Sequence, residues 1–208
     1  MMVRLYLIRH GETEWNKSVR FQGQQEIPLN ETGRMQADLI GKRLAGEGIE
    51  AIYSSDLGRA WETAKIIAQN LNIHPGDLKK EASFREVNFG AWEGLTFSQR
   101  KEKDPAYLKK WMNDPVRTVC PGGESYLEHF QRVEKGLKDL LQKEAGKKVA
   151  LVTHGGPIRA IVQSALGLPP LSFWNLRVDN ASVSIIEFHE DKAILCLYND
   201  TCHLKCQS

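Results

Sequence analysis

Three short apolar runs, at residues 3–8, 51–54 and 149–153, are each followed by a segment with helical periodicity. A run with apolar residues on both of its faces must bury both, so these segments predict strands of a sheet covered on both sides. The covering helices are legible between them. Ala37, Ile40 and Leu44 recur at helical spacing, with Asn30 or Thr32 as the cap. Ala60, Ala64, Ile67 and Leu71 fall on one face of a second helix. Phe130, Val133, Leu137 and Leu141 mark a third, opened by a capping box of Ser125 and Glu128. Gly155-Gly156-Pro157 leads into an apolar helix reaching Leu166, with Pro157 suited to a first turn. Runs at 182–188 and 193–198 read as two closing strands. The expectation is an α/β fold, a three-layer sandwich whose mostly parallel sheet has helices on both faces. Residues 78–123, richer in charge, tryptophan and proline, break the rhythm. They read as a small inserted helical or loop excursion that covers the active site, within one domain spanning residues 1–208.

Charge narrows the classes of partner. The 28 basic and 26 acidic residues are interspersed and leave a net charge of +2, with no single-sign run to grip nucleic acid. An anionic ligand must therefore be held by local charge. No stretch approaches ~20 apolar residues, and the first residues lack an apolar core of signal-peptide length. A cytoplasmic protein with no membrane or nucleic-acid partner is expected, its oligomeric state left open, a homodimer included. Of the four cysteines, Cys120, Cys196, Cys202 and Cys206, none forms a CxxC pair. The run Cys202-His203-Leu204-Lys205-Cys206 would need a second cluster to complete a four-ligand zinc site. Neither a metal nor a cofactor is expected.

Two segments repeat one design: an apolar strand, then His-Gly, then a turn toward a helix. They end in Arg9-His10-Gly11 and Thr153-His154-Gly155. In an open parallel sheet, ligands bind beyond the carboxyl ends of the strands, which places both histidines at one edge. Glycines there let backbone amides approach an anion, and the helix after His154 adds its positive end. Arg59 lies just past the second strand, in Tyr53-Ser54-Ser55-Asp56-Leu57-Gly58-Arg59. Two arginine forks and a protonated histidine suit a phosphoryl dianion. Taken singly, a histidine at a strand end or an arginine at a helix start is an ordinary surface residue; the combination carries the argument.

Arg9-His10-Gly11-Glu12-Thr13-x-Trp15-Asn16 resembles the signature of the histidine phosphatase superfamily, also called phosphoglycerate mutase-like. Four further segments resemble that family in order: Pro28 to Ala37, Ser54 to Ala64, Arg85 to Gly94, and Thr153 to Gly156. The resemblance implies that His10 is the nucleophile and that Arg9, Arg59 and His154 bind and stabilise the phosphoryl group. It implies that Asn16, Gln22 and the backbone at Gly23 complete the rim, with Gly155 beside His154. Glu86 is implied as the general acid and then the base. Attack needs neutral His10, its second ring N–H bonded to a backbone carbonyl. The transfer itself needs in-line geometry and charge on the equatorial oxygens. Without the family, Glu86 beside Arg85 reads as half of a surface ion pair.

Hydrolysis of a phosphomonoester is the implied reaction, with α-ribazole 5'-phosphate or a range of small phosphomonoesters as substrate. The chain resembles the branch of α-ribazole and broad-specificity phosphatases. A cofactor-dependent phosphoglycerate mutase is the main alternative. Mutases resemble Glu-Arg-x-Tyr-Gly-x-Leu-x-Gly at the acidic segment, where this chain has Val87, Phe89 and Trp92. They are also usually longer. A non-catalytic phospholigand-binding module is a second alternative, against which Glu86 counts. Glu12, Glu93 and Ser54 read as rim or structural residues, and Trp92, Trp111 and Trp174 as core or pocket wall. His203 resembles the C-terminal pattern of the α-ribazole phosphatase branch. His74, His129 and His189, with no motif around them, are expected at the surface.

Overall fold

The alternation of side chains along a strand explains why the sheet needs two covers. In the strand Val3–Arg9 (β1), Val3, Leu5 and Leu7 face one way while Tyr6 and Ile8 face the other, and all five are buried. Ala51–Ser54 (β2) and Lys148–Thr153 (β4) divide their side chains in the same manner. The first face packs on helices Tyr126–Lys143 (α6) and Gly155–Leu166 (α7), through Val133, Leu137, Ile158 and Ile161. The second packs on Glu31–Leu44 (α2) and Gly58–Asn70 (α3), through Ile40, Leu44, Ala64 and Ile67. The computed structural model describes residues 2–205, so Cys206 of the C-terminal cysteine cluster lies outside the described residues.

With Lys79–Lys80 (β3), Val183–Phe188 (β5) and Ala193–Asp200 (β6), the described residues form a six-stranded sheet in the order β3-β2-β4-β1-β5-β6. The four strands from β3 to β1 run parallel, and Val183–Phe188 (β5) and Ala193–Asp200 (β6) are antiparallel additions at one edge. The expected α/β sandwich is what the chain forms, with a mixed sheet. Asn30 caps α2, its side chain accepting from the Gly33 N–H at 2.8 Å, and Ser125 with Glu128 forms the capping box of α6. Each such cap stabilises its helix by about 1 kcal/mol.

The 78–123 stretch contains one element read as part of the excursion that belongs to the sheet. Lys79–Lys80 (β3) pairs with β2 as an exposed two-residue edge strand, its backbone bonds made although its lysines have no apolar signal. The rest of the stretch adds no further strand among the described residues. It holds helices Phe97–Lys103 (α4) and Pro105–Asn113 (α5) and a small cluster of Trp92, Leu108 and Cys120. A one-turn helix, Glu14–Lys17 (α1), follows β1. Among the described residues, no helix is long and apolar enough to cross a membrane.

Candidate active site

Strand register brings the two His-Gly turns together. Arg9 pairs with Thr153 across the parallel ladder, and the His10 N–H donates to the Thr153 carbonyl at 2.9 Å. The two imidazoles that follow lie 5.1 Å apart, edge to face, and both are buried. Nδ1 of His10 lies 2.7 Å from its neighbour's carbonyl, Gly11 O. A carbonyl only accepts, so Nδ1 carries the proton and Nε2 keeps its lone pair. Nε2 of His154 meets the Ser55 hydroxyl at 2.9 Å, and its Nδ1 has no partner. Burial, reinforced by Arg59 and by Arg9, holds both imidazoles well below the usual histidine value. Burial foremost, and then the positive charge of the two arginines, thus works against the protonated histidine expected to help balance an anion.

Arg59 is almost wholly buried. Its Nη2 donates to Gly23 O at 2.7 Å and its Nη1 to Gln25 O at 2.8 Å, which leaves Nε 3.3 Å from His10 Nε2. Gly23 is required for this: its φ is +54°, and a side chain there would collide with Glu93. Arg9 reaches the same cleft from the other side, its Nη1 on Val178 O at 2.7 Å and its buried Nε without a partner. Burial lowers both guanidiniums to about 10, which leaves them charged at neutral pH.

Glu86 is not half of a surface ion pair. Arg85 turns to Asp56, at 2.7 and 2.5 Å, while the Glu86 carboxylate accepts the Gly156 N–H at 3.0 Å and the Val87 N–H at 2.9 Å. The N-terminus of α7 thus carries a carboxylate, a favourable end for it, and Gly156 lacks a side chain that would strike Glu86. Behind this contact stands His129, which is fully buried, contrary to the surface position expected for it. Its Nδ1 accepts from Arg132 at 3.0 Å, which places the ring proton on Nε2. That Nε2–H has no partner and lies 3.1 Å from the point where a Gly156 side chain would begin, the point Glu86 also crowds. A sequence signal existed: His129 stands three residues after Tyr126 and four before Val133, on the inward stripe of α6. Of the other two, His74 is exposed and caps a short turn, and His189 is partly exposed.

Arg9, His10, Arg59 and Glu86 line an open cleft of about 450 Å³, whereas His154 lies buried behind His10 and is not among the lining residues. Asn16, Gln22, Gly23 and Gly156 are also among the cleft's lining residues, and Gly155 is not. Asn16 also serves the cap of α1, its Oδ1 accepting from Thr13 and from Asn180. Asn180, Ser55 and Arg159 were not singled out from sequence. Asn180 donates to the His10 carbonyl at 3.2 Å and fixes the strand end that carries the imidazole. Ser54 and Glu93 are structural: Ser54 bonds the Ser55 carbonyl, and Glu93 accepts from Gln24 and Phe89 amides. Glu12 accepts from Asn30. Trp92 is core, Trp111 packs against it, and Trp174 reaches the cleft. His203 is buried with Nε2 on Ala181 O, and Ala181 in turn donates to the His10 carbonyl.

Residues 5–201 match the family described as the histidine phosphatase superfamily, branch 1. Phosphoserine phosphatase 1 of Hydrogenobacter thermophilus is 36% identical over 203 residues, which covers 98% of this chain and 95% of that one. A probable phosphoglycerate mutase of Yersinia pestis is 36% identical over 189 residues, or 91% and 86% of the two chains. The crystal structure of the α-ribazole phosphatase from Shigella flexneri superposes with a TM-score of 0.87 at 27% identity, covering 95% of this chain and 96% of that one. With its five segments in order, its two strand-end histidines in contact and these matches end to end, the chain is an enzyme of the histidine phosphatase superfamily.

Proposed function

We propose that this protein is a phosphomonoesterase that needs no metal and works through a phosphohistidine on His10. The observation that carries the reading is the state of His10: its Nδ1–H donates to Gly11 O, and its Nε2 lone pair, which accepts from Arg59 Nε at 3.3 Å in the free site, borders a cleft of arginines. Glu86, a carboxylate in the free site, takes up a proton as the phosphate dianion binds. The His10 lone pair then attacks phosphorus in line, the ester P–O bond breaks with its electrons, and the leaving oxygen takes that proton from Glu86. Water then attacks phospho-His10 and gives its proton to Glu86, the N–P bond breaks, and inorganic phosphate departs. Arg9 and Arg59 hold the equatorial oxygens. The Ser55 hydroxyl, donating to Nε2 of His154, leaves Nδ1–H of that ring as a further donor to the phosphoryl group. Such preorganised donors are the larger part of catalysis at a charged transition state.

The substrates are small phosphomonoesters, α-ribazole 5'-phosphate and phosphoserine among them, since relatives and neighbours are named for those reactions. A mutase is the second reading, favoured by the relative named for that reaction, whose length is close to this chain's. Hydrolysis is preferred because the acidic segment has a buried Val87 where mutases carry an arginine, and a Phe89 ring packed on Phe21 where they carry a tyrosine. The test is release of phosphate from p-nitrophenyl phosphate in EDTA. Activity that survives the chelator and falls at least about a thousandfold in His10→Ala supports the reading. Full activity in His10→Ala overturns it.

A further inference from the structure

The proposed reaction leaves a buried histidine of α6 without a task. His129 is fully buried, and its Nδ1 side is crowded with partners. Arg132 Nη2 donates to Nδ1 at 3.0 Å and to Glu124 Oε1 at 2.6 Å. The other arm of the same guanidinium, Nη1, donates to Ser83 O at 2.8 Å and to Arg85 O at 3.1 Å. The imidazole is thereby tied to the backbone that leads into Glu86. Across the ring, the Nε2–H has no partner at all. A buried donor left unmet is costly, so a group fixed this firmly calls for a state of the enzyme in which that donor is used.

Glu86 offers the acceptor. The point where a Gly156 side chain would begin lies 3.1 Å from His129 Nε2 and nearer still to Glu86 Oε1. Both atoms therefore border the small space that glycine leaves open at the start of α7. In the free site Oε1 accepts from the Gly156 N–H at 3.0 Å and the Val87 N–H at 2.9 Å, while Oε2 has only a longer contact of 3.3 Å with the Gly156 N–H. A phosphate dianion between Arg9 and Arg59 faces this carboxylate with like charge. The repulsion acts away from the cleft, toward the space beside Gly156.

We propose that His129 is a positioning residue for the leaving-group proton: with substrate bound, its Nε2–H donates to Glu86 Oε1 and keeps the protonated Oε2 aimed at the ester oxygen. Three N–H donors then converge on Oε1. An oxygen so surrounded cannot itself carry a proton, which confines the acidic proton to the oxygen left for the substrate. His129 touches no reacting atom and works only through Glu86. The inference rests on the phosphomonoesterase reading above, in which Glu86 is the acid. Its consequence depends on the ester. A weakly acidic alcohol or phenol must be protonated as the P–O bond breaks, whereas p-nitrophenolate departs with little help. Loss of the His129 N–H therefore weighs on the first kind of ester and spares the second.

The test compares kcat/KM for phenyl phosphate and p-nitrophenyl phosphate, esters of similar size, in the whole protein and its variants. This ratio covers the steps through departure of the leaving group and excludes the hydrolysis of phospho-His10 that both esters share. His129→Phe is expected to lower it about tenfold for phenyl phosphate and about twofold or less for p-nitrophenyl phosphate. His129→Gln, whose amide N–H reaches the place of Nε2–H, should restore most of the loss. In a Glu86→Gln background, His129→Phe should have no further effect that depends on the ester. Equal losses on both esters, as from a loosened core, overturn the proposal, and so does a selective loss that persists in the Glu86→Gln background. If His129→Phe does not fold, the wild type decides. The Nε2–H proton resonance of isotope-labelled His129 should move downfield when orthovanadate fills the cleft, and an unmoved resonance overturns the proposal. Failure of the wild type to hydrolyse either ester, or full activity in His10→Ala, would strike the phosphomonoesterase reading instead, and the two failures are thereby distinguished.

Discussion

On the floor of the cleft, side chains are fixed by directed bonds to backbone or to strand-end hydroxyls: Arg59 on two carbonyls, Glu86 on two amides, His154 on Ser55. The wall is held by ring contacts. Phe21 meets Phe89 at 5.1 Å, Trp111 meets Trp92 at 5.5 Å and Trp174 at 5.3 Å, and Phe173 meets Trp174 at 4.8 Å. Arg100 is buried among these rings, 3.6 Å from the Phe21 centroid, with Nε and Nη1 lacking any partner. A bond to a carbonyl fixes distance and direction, whereas a stack of rings tolerates sliding at little cost. The floor can therefore keep one chemistry while the wall changes what is admitted. Proteins similar along nearly the whole chain are accordingly named for phosphoserine, phosphoglycerate and α-ribazole phosphate.

The comparison can be broken at the floor first. Arg59→Lys keeps the charge but cannot serve Gly23 O, Gln25 O and the reacting group together. It should lower kcat/KM by about a hundredfold or more, and a loss below fivefold would show that placement there is not critical. His129→Phe removes the N–H behind Glu86 while keeping a ring of similar size. We expect kcat to fall about tenfold at constant KM; unfolding without a change in kcat would make His129 a core residue only. On the wall, Trp174→Ala should change KM by about threefold or less and leave thermal stability alone. A large drop in kcat from Trp174→Ala would erase the distinction between floor and wall.

Acid stability sharpens the contrast without changing anything at neutral pH. In the folded state His10 and His154 titrate well below their ordinary value of 6.5, chiefly because they are buried. Below that pH the unfolded chain binds protons that the folded chain refuses, so their contribution is complete above about pH 6.5 and shrinks as pH falls. Glu124 acts lower down. Burial opposes its ionisation, but contacts with His129 and Arg132 outweigh it and bring the carboxyl to about 2, so its contribution holds above 4.5 and is lost below. Urea unfolding across pH 7 to 4.5 should show falling stability in the wild type and a shallower fall in His154→Gln. Parallel curves would mean that the buried imidazoles do not govern this window.

The floor was legible in the sequence because parallel register acts on short apolar runs. Once residues 3–8 and 149–153 are neighbouring strands, His10 and His154 have nowhere else to be. Glu86 was legible only through family resemblance, since its place depends on a loop meeting the first turn of α7. Ser55, Asn180 and Arg159 escaped for a related reason. Each acts through a partner distant in the chain, and none stands in a pattern that periodicity can mark. The edge strand β3 was missed because two exposed lysines pair by backbone alone. The aromatic wall, with Arg100 inside it, depends on how α4 and α5 pack, which composition does not encode.

The central claim is that the phosphoryl group passes through His10, and rapid quenching of the enzyme with a labelled substrate tests it most directly. The account predicts a transient label that is acid-labile and base-stable, maps to the peptide carrying His10, and is absent from His10→Ala. A competent enzyme that turns substrate over with no label at His10, or with label on another side chain, would contradict it.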